Sequence, residues 1–190
     1  MKTSLRRERF ASLVLLLSLT WTLCLWSTDS GLSQNKTVAA ADASLQTENF
    51  LDLRGDVPNP QRIDTVALHK LPRVEIHAND PQDAGKEIVY SGTPLVEVLK
   101  AGGLLLDAGM TGIRETVKTT VFIEAADGYR AAFSLAELDP ELSDRIILLA
   151  DARDGQPLSA HEGPFRIIVP KEKRPARWVR QVKSVTVRKN

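Results

Sequence analysis

The 190-residue sequence contains one cysteine, Cys24, which lies in an amino-terminal apolar segment. If that segment is removed on export, the remaining chain has no disulfide, no thiol nucleophile and no thiolate ligand. Histidines are also few. His69, His77 and His161 lack the i, i+4 spacing of a helical zinc site. The sequence therefore predicts no metal site built from side chains.

Motifs of other common catalytic sites are missing as well. No serine stands in a GxSxG motif, and no glycine-rich phosphate loop precedes a predicted helix. An excess of one charge is also lacking, with 25 Lys+Arg against 24 Asp+Glu. However, residues 42–170 carry 12 basic and 21 acidic side chains, whereas residues 171–190 carry eight and one. Because a nucleic-acid binder needs a basic face on its folded body, we expect no nucleic-acid partner.

Residues 1–30 have the order of an export signal. Basic residues in the first ten positions precede an apolar run at 11–26. This run is shorter than the roughly 20 residues that span a bilayer, which favours a removed signal over a retained anchor. The Arg6-Arg7 pair leaves twin-arginine export open beside general secretion. We predict a periplasmic or secreted protein that touches the membrane only if the signal is retained as an anchor.

A small, polar linker at 31–49 precedes residues 50–190, which have the length of one domain. Short apolar runs bounded by turn residues predict strands. The predicted strands are 73–77, 119–126, 129–133, 145–150, 165–169 and 182–187. The segment 104–118 fits no single pattern and is left open. The fold class predicted is α+β (mixed α/β), a single β-rich domain with short helices.

Local signals predict where several turns and helices begin. Asp127-Gly128 and Asp154-Gly155 are typical of tight hairpin turns that need positive φ. Thr93-Pro94 predicts a helix with Thr93 as its cap and Pro94 in its first turn. Residues 134–137 (SLAE) form a capping-box pattern at the start of a single turn.

The basic run at 171–180 (KEKRPARWVR) is the most distinctive stretch, and it permits two interpretations. Lys and Arg keep an edge strand soluble, so the run is consistent with a basic loop and edge. Arginines also give bidentate contacts to phosphate, and Trp178 offers a flat surface beside them, so an anion pocket is equally consistent. Both interpretations stay open.

Several short motifs occur in an order that resembles one known family. They are residues 55–57 (GDV) with Pro60, 71–72 (LP), 90–95 (YSGTPL) with 98–99 (VL), 126–129 (ADGY), 155–158 (GQPL), 163–170 (GPFRIIVP) and 177–179 (RWV). The set resembles the sulfite-oxidase-like molybdopterin-binding domain, in its small exported form that stands alone. The resemblance covers about residues 50–188 and implies strand-rich sheets around a pterin pocket.

The resemblance also implies which residues bind the cofactor. In relatives that carry it, a basic residue just before the Trp of the closing motif and another a few positions upstream help to bind the pterin and its phosphate. Their counterparts here are Arg177 and Arg174. His161 and Arg166 flank the GPFR motif and are further candidates, and Trp178 belongs to the same predicted cofactor-binding set. No catalytic residue is assigned.

The catalytic relatives have a molybdenum-binding cysteine after the strand that follows Leu-Pro. Residues 74–80 (VEIHAND) contain none, and neither His77 nor Asn79 replaces a thiolate. We expect a cofactor-free, non-catalytic module. Its expected partner is a small anion or a pterin, or else a periplasmic redox or sensor protein. The alternative is an active oxidoreductase that holds molybdenum-molybdopterin through the pterin alone.

Overall fold

The computed structural model describes residues 49–80, 83–106 and 109–190. The predicted export signal and all but the last residue of the linker lie outside this range. Within it, no helix is long and apolar enough to cross a membrane. The strands are β1 (Phe50–Gly55), β2 (Gln61–Asp64), β3 (Val74–Asp80), β4 (Lys86–Pro94), β5 (Thr119–Ala125), β6 (Arg130–Ser134), β7 (Leu148–Arg153), β8 (Gln156–Pro157), β9 (Arg166–Ile168) and β10 (Val182–Lys189). The helices are α1 (Thr65–Leu68), α2 (Leu95–Ala101) and α3 (Met110–Lys118), with 3-10 turns at Leu135–Glu137 and Pro175–Arg177.

The strands form two five-stranded sheets. The first has the order β2-β1-β10-β5-β6. In it β1 and β10 run parallel, and the other neighbours are antiparallel. The second sheet has the order β3-β4-β7-β8, and β9 also pairs with β7. The described part of the chain therefore joins its first and last strands near the middle of one sheet.

The core follows from the alternation of side chains along the strands. In β5, Val121 and Ile123 are buried, whereas Phe122 between them is 36% exposed. In contrast, all three residues of β9 are buried. Because Arg166 opens β9, this placement brings a guanidinium into the protein interior.

Several sequence predictions are confirmed. The fold is a β-rich α+β domain with short helices. The capping box forms, since the Ser134 side chain accepts from the turn backbone and Glu137 accepts from the Ser134 N–H. Asp154 and Gly155 have φ of 49° and 74° and connect β7 to β8, as expected for a hairpin turn of this kind.

The predicted Asp127-Gly128 hairpin between β5 and β6 is confirmed, with positive φ at Gly128 alone, and the Asp127 carboxylate accepts the backbone N–H of Tyr129 at 2.9 Å. One local prediction is wrong. Thr93 does not cap α2, because β4 pairs with β7 as far as Pro94 and Thr93 is still in the strand. Pro94 occupies the cap position and makes no side-chain hydrogen bond.

The boundaries of one predicted strand shift, and several elements were not predicted. β7 begins at Leu148, three residues after the predicted start, and reaches Arg153. Its ladder starts there because Leu148 pairs with Pro94 on one side and Ile168 on the other. Strands β1, β2 and β4 had no individual prediction, and the open segment 104–118 contains α3.

Candidate functional site

Arg166 is fully buried at the start of β9. Its Nη1 donates to the Tyr90 hydroxyl at 3.0 Å and lies 3.0 Å from Asp80 Oδ2, and it also pairs with Glu162. The guanidinium carbon lies 5.6 Å from the centre of the Tyr90 ring and 5.5 Å from that of Trp178. Two aromatic faces and two carboxylates thus surround this cation.

The carboxylates around Arg166 belong to a longer chain of polar contacts. The Tyr90 hydroxyl donates to Asp80 at 2.8 Å, and burial together with this bond raises the pKa of Tyr90. On the other side, Arg153 Nη1 contacts Glu162 at 3.4 Å and Arg153 also pairs with Asp83. The network links the β3–β4 hairpin to β7 and β9, so Arg166 has a structural task inside the fold.

Arg177 ends the second 3-10 turn and is also held by two carboxylates. Its Nη1 donates to both oxygens of Glu137 at 2.9 and 3.1 Å, and its Nε donates to Glu172 at 2.7 Å. Its Nη2 also donates to Glu172. The guanidinium lies over the Phe133 ring, 4.6 Å from its centre. Burial lowers the pKa of Arg177, but these hydrogen bonds outweigh it and the net pKa is raised.

The other predicted cofactor residues lie in different surroundings. Trp178 is 4% exposed and donates its indole N–H to the Val169 carbonyl at 3.0 Å. Arg174 is exposed, and no ion pair or side-chain hydrogen bond reaches it from the described residues. The structure brings Trp178 and Arg166 together, but Arg177 points into its own carboxylate pair.

His161, the remaining predicted residue, lines a surface groove of about 280 Å³. We call it the Arg180 groove, and its wall includes Tyr129, His161, Pro175, Trp178, Arg180 and Gln181. Arg180 Nη1 lies 2.5 Å from His161 Nε2. The Nε of Arg180 is buried and has no hydrogen-bond partner within the described structure.

Arg180 was not among the residues singled out from the sequence. The only sequence feature that marked it was membership of the basic run at 171–180, which it shares with four other basic residues. The next residue, Gln181, has a φ of 48°, a left-handed conformation that no sequence motif predicts.

No metal centre appears in the described part of the chain. No group of three or more His, Cys, Asp or Glu side chains there is arranged to hold a metal ion. In β3, where the resemblance implies a cysteine ligand, His77 is exposed and its Nδ1 lies 3.6 Å from Glu87.

A separate polar cluster lies at Asp151 on β7. Both Asp151 oxygens accept from Arg73 at 2.7 Å, and His69 Nε2 lies 2.8 Å from one of them. Burial raises the pKa of this carboxyl, but the contacts with Arg73 and His69 outweigh burial and lower the pKa below its usual value. The cluster ties α1 and the start of β3 to β7.

Residues 39–190 match the model of the family described as the oxidoreductase molybdopterin binding domain, and the chain belongs to that family. The fold is similar to that of a solved structure, "Crystal Structure of the Sulfane Dehydrogenase SoxCD from Paracoccus pantotrophus", with a TM-score of 0.56 and 19% sequence identity. The similarity covers 74% of this chain and 38% of that one, so this chain corresponds to well under half of that protein. No curated protein matches the chain significantly. The predicted family and fold are confirmed.

Proposed function

We propose that this protein is a non-catalytic member of the family that holds no molybdopterin and binds a small anion or a protein partner. The observation that carries the proposal is the pairing of Arg166 and Arg177 with carboxylates of the same chain. Both are among the residues expected to bind the cofactor. We place the protein in the periplasm or outside the cell, from its amino-terminal segment.

The geometry of Arg177 argues against a pterin phosphate. A guanidinium has five N–H donors and no acceptor. Here its three nitrogens already donate to Glu137 and Glu172. Arg145 lies 3.9 Å from Glu137 as well, so the two carboxylates balance both cations and an arriving phosphate meets no free positive charge at Arg177. The residues present therefore do not fit the phosphate end of the cofactor.

The metal end of the cofactor lacks its ligand as well. β3 contains no cysteine, and none occurs elsewhere among the described residues. We derive no redox step for this chain, because the described residues supply no thiolate and Arg166 and Arg177 are already paired with carboxylates.

The experiment is elemental analysis for molybdenum, combined with pterin fluorescence after oxidation, on protein recovered from its native compartment. We expect neither molybdenum nor pterin. Near-stoichiometric molybdenum would overturn the proposal and favour an oxidoreductase that holds the metal through the pterin alone. As a matched test of the arginine pairing, Glu137→Gln with Glu172→Gln is expected to raise the affinity for inorganic phosphate, whereas Glu75→Gln with Glu87→Gln on β3 and β4 is expected to leave it unchanged.

A further inference from the structure

Arg180 differs from every other arginine that is at least partly buried in the described structure. Arg153, Arg166 and Arg177 each pair with at least one carboxylate. Arg180 is also partly buried, but its only side-chain contact is with His161. Removing a cation from water without a counter-ion is costly. An anion from solution would supply the missing charge.

We propose that the Arg180 groove is a binding site for a small oxyanion, a carboxylate or a phosphate, with Arg180 as its main donor. This inference rests on the proposed function, since a groove filled by molybdopterin would not be free for another anion. It names the ligand class and the residues of the site, neither of which follows from membership of the family.

The contact with His161 and the burial of Nε determine which nitrogen of Arg180 is available. Because a guanidinium only donates, His161 Nε2 accepts the N–H of Arg180 Nη1. Neither Nε nor Nη2 has a partner among the described residues, but Nε is buried, so Nη2 is the nitrogen that a ligand in the groove reaches. An ionised oxygen there would form a charge-assisted hydrogen bond, which is shorter and stronger than a neutral one.

The backbone next to Arg180 is held in place before any ligand arrives. The left-handed φ of Gln181 is maintained by its N–H donating to the Glu162 carbonyl and its Nε2 donating to the Ala160 carbonyl, both at 2.9 Å. Ala126 N–H donates to the Gln181 carbonyl at the same distance. Non-glycine residues in this conformation persist only where the surroundings fix them, and they concentrate at binding sites.

The rest of the groove limits the size and character of the ligand. Its volume of about 280 Å³ suits a small molecule. Tyr129 is 50% exposed there, and its hydroxyl is already used to donate to the Ala176 carbonyl at 2.6 Å. The ring of Tyr129 and Pro175 offer apolar surface beside the charged edge. The single acidic side chain on the wall, Asp127, accepts the backbone N–H of Tyr129.

The test uses the full chain with Trp21→Phe and Trp26→Phe, which leaves Trp178 as the only tryptophan. Trp178 lines the groove, so its emission should report ligand entry. Inorganic phosphate and propionate are titrated separately at constant ionic strength, which identifies which oxyanion is preferred. We expect a saturable change with at least one of them. Absence of a saturable change with both would overturn the inference.

Variants connect the signal to the site. Arg180→Ala is expected to weaken binding about tenfold or more, because charged hydrogen bonds are lost. Arg180→Lys keeps the positive charge but not the planar set of N–H donors, so its affinity is expected to lie between those of the wild type and Arg180→Ala. Arg114→Ala removes the same charge from exposed α3, outside the groove, and should change nothing. Equal weakening by Arg180→Ala and Arg114→Ala would show nonspecific screening and refute the site.

Two further measurements keep the result interpretable. If Arg180→Ala does not fold, His161→Gln changes an exposed side chain of the same groove and is expected to weaken binding severalfold; unchanged affinity in that variant would count against the geometry. Molybdenum analysis is independent of all these titrations. A molybdenum-free protein whose Trp178 emission does not change with either anion would refute this inference alone. A protein that contains molybdenum would refute the proposed function.

Discussion

Replacing Arg166 with methionine should destabilise the protein severely. Methionine fills much of the same volume but leaves Asp80 and Glu162 without the cation they share. The side chains of Arg166, Asp80 and Glu162 are 0%, 2% and 10% exposed, so water does not replace the lost charge. Breaking a buried ion pair from one side costs about 3–5 kcal/mol. Since domains are stable by about 5–15 kcal/mol, this loss is a large share of the total.

The assay is urea unfolding followed by circular dichroism, at pH 7 and again at pH 5. The free energy of unfolding of Arg166→Met should fall by about 3–5 kcal/mol at pH 7. At pH 5 the deficit should shrink. Without Arg166 the interior keeps an excess of negative charge, which protonation relieves, so the folded state of the variant gains stability relative to its unfolded state as the pH falls.

A triple variant separates charge from packing. Asp80→Asn and Glu162→Gln added to Arg166→Met remove the two carboxylates while keeping their shapes, and should recover about 1 kcal/mol or more. The reasoning is refuted if Arg166→Met costs less than about 1 kcal/mol, the range of an exposed ion pair. It is equally refuted if the triple variant is less stable than the single one at pH 7.

Three other outcomes follow from the described contacts. Arg73→Ala should lower the midpoint of thermal unfolding at neutral pH. The difference from the wild type should disappear as the pH falls below about 4, because the lowered pKa of Asp151 stabilises the fold only above that range. A difference that stays constant with pH would contradict this. Gly92→Ala should cost about 1–3 kcal/mol in urea unfolding or prevent folding, since the added carbon would lie 2.2 Å from a carbonyl oxygen of β7. In a Tyr129→Phe background, absorbance of tyrosinate should be absent near pH 10, because burial and a hydrogen bond raise the pKa of Tyr90; a full signal at that pH would show Tyr90 to be accessible.

The sequence predicted the parts of the fold that depend on neighbouring residues. An apolar run bounded by turn residues predicted β5, and the Asp-Gly pairs predicted both hairpins, because a short strand and a tight turn are determined within a few residues. The pairing of β1 with β10 brings together residues more than a hundred positions apart. Short-range sequence patterns do not predict such a long-range contact, and β1 was not predicted individually.

The candidate site was predictable only as a set of charges. The sequence located Arg177 in a basic run, but its partner Glu137 lies 40 positions earlier and served in the prediction only as part of a capping box. Arg166 was a candidate for binding a cofactor, and its burial follows from the two-sided coverage of β9. Which cation meets which carboxylate is a property of the assembled sheets.

The position of β10 has a consequence for the order in which the fold can be completed. β10 lies between β1 and β5, so both halves of the first sheet need it as a neighbour. During synthesis β1 is made before its parallel partner β10, which follows more than a hundred residues later in the chain. Until then, the edges of β1 and β5 that will face β10 are unpaired and able to bind other strands. Completion of the sheet is therefore a late, long-range event, and slow folding is expected from such non-local pairing.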